Sequence, residues 1–205
     1  MSRKLQQIEM RLPQRGGRRS GAGRKPKNRR ALVSHKRRPS FEKAAAVHVT
    51  LRVALHVWNL RSRRCFRLIE ACLAGARGRF GLRVIEFSVL GNHLHLLVEA
   101  DSDIALSRGM QGLAIRIAKS LNRLMSQRGR VFADHYHSRL LRTPAELANA
   151  IAYVLGNHAH HFGGAPGGDR FSSGGVRREL VLSHPRTWLL RRGWRRARRV
   201  PPWLL

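Results

Sequence analysis

The sequence predicts an α+β fold: a ferredoxin-like split β-α-β sheet, one helix added at its C-terminal end, and basic disordered arms outside it. Three observations predict this. Apolar and β-branched runs alternate with segments of helical spacing in the order β-α-β-β-α-β-α. That patterning is confined to residues 46–162. The flanks, residues 1–45 and 163–205, are dominated by Arg, Lys, Gly and Pro and lack apolar periodicity.

Taken in order, Val47 to Leu55 is β-branched and apolar enough for a strand. Arg64 to Arg79 sets Phe66, Ile69, Leu73 and Ala76 at helical spacing. Leu82 to Leu90 reads as a second strand and Leu94 to Val98 anchors a third, with Gly91-Asn92 between them as a tight hairpin turn. Ile104 to Met125 is a long helix with Leu106, Met110, Leu113, Ile117, Leu121 and Leu124 on one face. Its other face carries Arg116, Lys119 and Arg123, a basic stripe that meets either DNA or solvent. Ser138 to Leu141 is a short fourth strand. Thr143-Pro144-Ala145-Glu146 then opens the last helix as a capping box with Pro at the first helical position. At about 100° per residue, that helix turns Leu147, Ile151, Val154 and His158 to the core. Glu146, Asn149, Tyr153, Asn157 and His160 fall on the opposite face.

The charge balance is the compositional outlier, with 41 Lys+Arg against 11 Asp+Glu and a formal net charge of +30. Such a chain calls for a polyanionic partner, and a protein that merely coats nucleic acid would show the same balance. Residues 1–45 hold 15 Lys/Arg and 2 acids, as expected of an arm that follows phosphates. Residues 164–205 hold 10 Arg and 2 acids, with Trp188, Trp194 and Trp203 among them. These tryptophans either stack on bases or fold the tail back onto the domain. The two cysteines, Cys65 and Cys72, have the spacing of neither a zinc cluster nor a disulfide framework, which suits a reducing cytoplasm. No apolar run approaches the roughly 20 residues that span a bilayer, and the basic N-terminus has no apolar stretch behind it. The expected location is cytoplasmic and nucleoid-associated.

The chemistry concentrates in Asn92-His93-Leu94-His95-Leu96-Leu97-Val98. Residues two apart on a strand share a face, so His93 and His95 project together, away from Leu94, Leu96 and Val98. Two neighbouring imidazoles suit a divalent metal, although His-x-His also occurs on ordinary strands. On the last helix, Tyr153 and Asn157 stand one turn apart. A tyrosine hydroxyl beside a metal site is able to attack a phosphodiester, and the Asn157 amide oxygen is able to complete the metal shell. A half-buried packing aromatic is the plainer alternative for Tyr153.

Asn92 to Glu99, Asn-His-Leu-His-Leu-Leu-Val-Glu, resembles the His-hydrophobic-His motif of the HUH single-strand endonucleases. Tyr153-Val154 with Asn157 resembles the tyrosine helix of their single-tyrosine transposase branch. Val131 to Arg139 is similar to the segment that precedes that helix. Over residues 46–161 the chain is most similar to the REP-associated tyrosine transposases. The resemblance implies an HUH endonuclease-type sheet and a metal-dependent enzyme that cleaves and rejoins single-stranded, hairpin-forming DNA. It further implies Mg²⁺ or Mn²⁺ held by His93, His95 and Asn157, with Tyr153 forming a 5′-phosphotyrosine link. Arg116, Lys119, Arg123, Arg139 and Arg142 are the expected DNA contacts, and the protein is expected to be a monomer or homodimer. The rival expectation is a non-catalytic hairpin DNA- or RNA-binding protein descended from a transposase. Two departures stand out: Gly91 replaces a common Pro, and Asn157-His158-Ala159-His160-His161 replaces Asn-Pro. The second predicts a longer helix and makes His158, His160 and His161 further metal candidates.

Overall fold

The computed structural model describes residues 40–175 and 178–204. The expected N-terminal arm falls almost wholly outside them. The elements are β1 (Ala45–Arg52), α1 (Arg63–Ala74), β2 (Leu82–Val89), β3 (His93–Ala100), α2 (Asp103–Leu124), β4 (His137–Leu141) and α3 (Pro144–Phe162). The short helices α4 (Arg178–Val181) and α5 (Trp188–Arg191) and two 3₁₀ turns follow. The four strands form one antiparallel sheet in the order β2-β3-β1-β4, which is the ferredoxin-like split arrangement.

The alternating strand residues divide two layers. Val47, Val49 and Leu51 of β1 and Leu94, Leu96 and Val98 of β3 meet the apolar stripes of α1 and α2 on one face. On this side α2 comes very close to β2: a Cβ added at Gly109 would collide with Leu82 Cβ. The opposite face has an apolar half and a polar half. Ala46, Leu97 and Leu141 pack under Leu147, Ala150, Ile151 and Leu155 of α3. Further along the same face, cross-strand register places His48, Thr50 and Arg52 of β1 beside His93 and His95 of β3 and His137 and Arg139 of β4. Register thus puts an apolar seat for the helix next to a polar patch that the helix partly overhangs.

The start of α3 follows its sequence signals. Thr143 Oγ1 accepts from the Glu146 amide at 3.2 Å, and Glu146 Oε2 accepts from the Thr143 amide at 3.1 Å. These bonds satisfy amides that would otherwise lack partners at the helix N-terminus. The helix runs on to Phe162, the longer form expected once Pro is missing after Asn157.

The tail between Arg178 and Leu204 is not disordered. Leu189, Leu190, Trp194 and Leu204 pack on the α3 face of the sheet, and Val181 and Leu182 join the core on the other face. Trp203 lies against Gly156 and Gly167. Of the two readings open for the tail tryptophans, folding back therefore holds for Trp194 and Trp203. The anchor is Glu99, fully buried at the end of β3. Its carboxylate accepts from Arg83 Nε at 2.6 Å and from the amides of Arg186 and Thr187 at 2.9 and 2.7 Å. Burial alone would raise the Glu99 pKa, but the hydrogen bonds from Thr187, Arg186 and Arg83 bring it below the usual range. Among the described residues, no helix is long and apolar enough to cross a membrane.

Candidate active site

The polar half of the sheet face gathers the expected catalytic residues. His95 sits at its centre, buried, with its ring centroid 4.8 Å from that of His93 and 5.1 Å from that of Tyr153. Both contacts are edge-to-face, so the Tyr153 ring stands over the His strand while 47% of the residue remains exposed. Tyr136, the other tyrosine of the chain, packs against the core on the opposite face of the sheet.

Second contacts orient both histidines. His93 Nδ1 is 2.7 Å from Asn92 Oδ1. A carboxamide oxygen only accepts, so this contact puts the proton on Nδ1 and a lone pair on Nε2. His95 Nδ1 lies 3.2 Å from both His48 Nε2 and Thr50 Oγ1, the two β1 side chains on its face. The His48 ring stacks at 5.3 Å on His95 and meets Tyr153 edge-on at 5.7 Å. Burial, then the positive fields of His137 and Arg139, lower the His48 pKa to about 4. His48 is therefore neutral at pH 7 and available as a hydrogen-bonding partner.

Asn157 corrects the helical-wheel expectation. It is not on an exposed face with Tyr153 but only 2% exposed, while His158 is half-buried rather than part of the core. The buried arc of α3 begins one step round from Tyr153, so Asn157 occupies the seam between the tyrosine and the sheet. Among the described residues, neither its Oδ1 nor its Nδ2 has a hydrogen-bond partner. Ser88 Oγ, on the β2 residue directly opposite His95, is likewise buried without a partner among them. Each such group costs about 1–3 kcal/mol unless something satisfies it.

His93, His95 and Asn157 carry the neutral nitrogen and oxygen donors that a divalent metal accepts. Among the described residues, no three His, Cys, Asp or Glu side chains are arranged to hold a metal ion. Beyond the two imidazoles, a further protein ligand must then be an amide or hydroxyl oxygen. Asn157, one turn after Tyr153, offers one that is buried and without a partner among the described residues. Imidazole and neutral oxygen together make a site of borderline softness.

The expected DNA contacts do not all converge. Arg139 faces the site from β4 beside His48; it is mostly exposed and loosely paired with Glu146 at 3.6 Å. Arg142 is exposed just before α3. Arg116, Lys119 and Arg123 belong to α2, on the far side of the sheet from Tyr153. The Arg116 guanidinium lies over Gly75 at the C-terminus of α1, where a helix end favours a cation. His158 and Phe162 form a ring contact at 5.1 Å, and His160 is exposed. The side chain of His161 lies outside the described residues. Sequence reasoning missed His48, Thr50 and Ser88, and the alternation along β1 was the one signal that marked His48 and Thr50 as sharing a face.

Residues 27–156 match the family model described as "Transposase IS200 like". The chain belongs to that IS200-like transposase family, and with it to proteins that process DNA in transposition. Among solved structures it is similar to a REP-associated tyrosine transposase bound to a REP hairpin. That match has 13% identity and a TM-score of 0.57, over 69% of this chain and 82% of the other. It shows the fold. A candidate transposase from Deinococcus radiodurans R1 has 13% identity and a TM-score of 0.42, over 52% of this chain and 86% of the other, and carries no argument. No curated protein matches the chain.

Proposed function

We propose that the protein nicks and rejoins single-stranded, hairpin-forming DNA with Tyr153 as nucleophile, at a divalent metal held by His93, His95 and Asn157. The observation that carries this reading is the exposed Tyr153 ring, edge-on to His95 and one turn before the Asn157 amide, which is buried and has no hydrogen-bond partner among the described residues. A packing aromatic would not need two oriented histidines below it and an unsatisfied amide beside it.

In the reaction, the Tyr153 hydroxyl attacks the scissile phosphorus. The tyrosine O–P bond forms and the P–O3′ bond breaks. The phenolic proton passes to water and the departing 3′ oxygen takes one up. The products are a 5′-phosphotyrosine and a free 3′-OH. Attack by another 3′-OH reverses the step and restores Tyr153. One phosphoester is exchanged for another throughout, so joining needs no ATP. A bound Mg²⁺ or Mn²⁺ polarises the phosphoryl oxygens and stabilises the charge that develops on them.

The protein's own residues do the positioning. Asn92 holds His93, and His48 with Thr50 holds His95, each leaving Nε2 directed away from its Nδ1 partner. Arg52, Arg139 and Arg142 neutralise phosphates next to the cut, while Lys119 and Arg123 meet DNA only on the far side of the sheet. The arm of residues 1–39 adds affinity without sequence selection. The REP hairpin bound by the similar structure supports hairpin DNA as the substrate class.

The test is a denaturing gel after incubation with hairpin DNA carrying single-stranded flanks and Mn²⁺. An enzyme leaves a protein–DNA band that survives detergent, and Tyr153→Phe removes it. A protein that binds hairpin DNA yet never forms that band is a non-catalytic binder, and the reading fails.

A further inference from the structure

We propose that the β1–α1 loop is a base-stacking ledge, on which Trp58, with Leu55 carried on the same loop, receives an unpaired base of the strand passing over the candidate active site. This deepens the reading above and rests on it.

Three observations lead there. First, the loop is held in place at both ends. The Val53 amide donates to Asn92 O at 3.0 Å, that of Ala54 to Val131 O at 2.8 Å, and that of Leu60 to Gly91 O at 2.9 Å. The amides of Arg61 and Ser62 bond to Asn59 at 2.9 and 3.0 Å, and Val53 and Leu60 are buried. Yet Leu55 is 99% exposed and Trp58 44% exposed. A loop this well tied down displays those side chains without being ordered by a ligand, so stacking on them costs little conformational entropy.

Second, the ledge shares its footing with the site. Gly91 and Asn92, which anchor the loop, form the turn that leads into His93, and Asn92 also bonds the His93 ring. Arg52, the last residue before the loop region, is the register partner of His93.

Third, the charge around the loop suits a polyanion. Between Glu42 and Glu70 the chain carries no acidic residue, Asp169 from outside this stretch is neutralised by Arg61 at 2.7 Å, and Arg52, Arg63 and Arg64 are exposed. An exposed tryptophan among arginines stacks on any base, because every base has a π-face, while the cations meet the phosphates on either side. A partner protein would instead need acids facing this stretch, and a ledge for such a partner would leave hairpin affinity unchanged in Trp58→Ala.

The experiment uses the full chain and a labelled hairpin oligonucleotide with single-stranded flanks, with chelator present so that binding is read without cleavage. Trp58→Ala should weaken binding about tenfold and Trp58→Phe less than about threefold, because the stack needs a ring. The dependence on salt should keep its slope, since no phosphate contact is lost. Abasic nucleotides are then moved one position at a time along the flank. At one position the wild type should lose about tenfold while Trp58→Ala loses nothing more. Wild-type affinity in Trp58→Ala, or abasic losses that add to the variant's at every position, would overturn the ledge. Failure of wild-type covalent capture would overturn the nicking reaction instead, because the stacking test is run where no cleavage occurs.

Discussion

His48 lies outside the His-x-His motif, yet its replacement should weaken the metal site in a calculable way. His48→Phe keeps a flat ring to stack on His95 but removes the nitrogen 3.2 Å from His95 Nδ1. Losing the partner of a metal-binding histidine typically costs about 10–100-fold in affinity. Thr50 Oγ1 reaches the same nitrogen at 3.2 Å and stays in place, so the single variant belongs at the low end. We expect about tenfold weaker Mn²⁺ binding, about 1.4 kcal/mol. Removing both partners in His48→Phe/Thr50→Val should bring the loss to about a hundredfold. The assay is titration of the DNA-free protein with Mn²⁺, reading free ion by electron paramagnetic resonance at neutral pH. Hairpin DNA binding in chelator should change less than about threefold, since no phosphate contact is removed. Unchanged Mn²⁺ affinity in the double variant would refute the argument, as would an equal loss of DNA affinity in chelator.

Asn157→Ala should raise the Mn²⁺ needed for half-maximal nicking, with excess Mn²⁺ partly restoring the rate, whereas Asn157→Asp should tighten Mg²⁺ binding. If both variants match the wild type at limiting metal, Asn157 is no ligand. Glu99→Gln should cost about 1–3 kcal/mol at neutral pH, because Arg83 keeps its ion pair with Asp101 but loses its buried one, and the amides of Arg186 and Thr187 lose a charged acceptor. The folded pKa of Glu99 lies below its ordinary 4.5, so the stability it adds is complete above that value and lost as pH falls through the lower one. Melting curves across pH should therefore show a flatter acid decline in Glu99→Gln, and an unchanged decline would contradict the assignment. Deleting residues 1–39 should weaken hairpin binding and flatten its salt dependence while nicking at saturating DNA survives. An unaltered salt slope would mean the arm does not touch DNA.

Much of the fold was legible because its signals are local. The two-residue alternation placed His93 and His95 on one face, and Thr143 to Glu146 located the start of α3. The first strand is shorter than its composition predicts: Val53 leaves the ladder to bond Asn92, and Leu55 is displayed in solvent. What escaped depends on non-local geometry. A helical wheel gives angles around α3 but not which arc meets the sheet, so Asn157 was turned outward. Cross-strand register, invisible in one strand alone, sets His48, Thr50 and Ser88 around His95. The tail's apolar contacts are few and scattered among arginines, and its anchor, Glu99, is 87 residues away from Arg186 in sequence.

The most direct measurement is identification of the covalently captured residue. Wild-type protein is incubated with Mn²⁺ and a hairpin oligonucleotide, the adduct is digested, and the DNA-linked peptide is sequenced by mass spectrometry. The account predicts a single 5′-phosphotyrosine at Tyr153, matched by an oligonucleotide ending in a free 3′-OH. An adduct at Tyr136, a 3′-phosphotyrosine, or cleavage without any protein-linked DNA would contradict it.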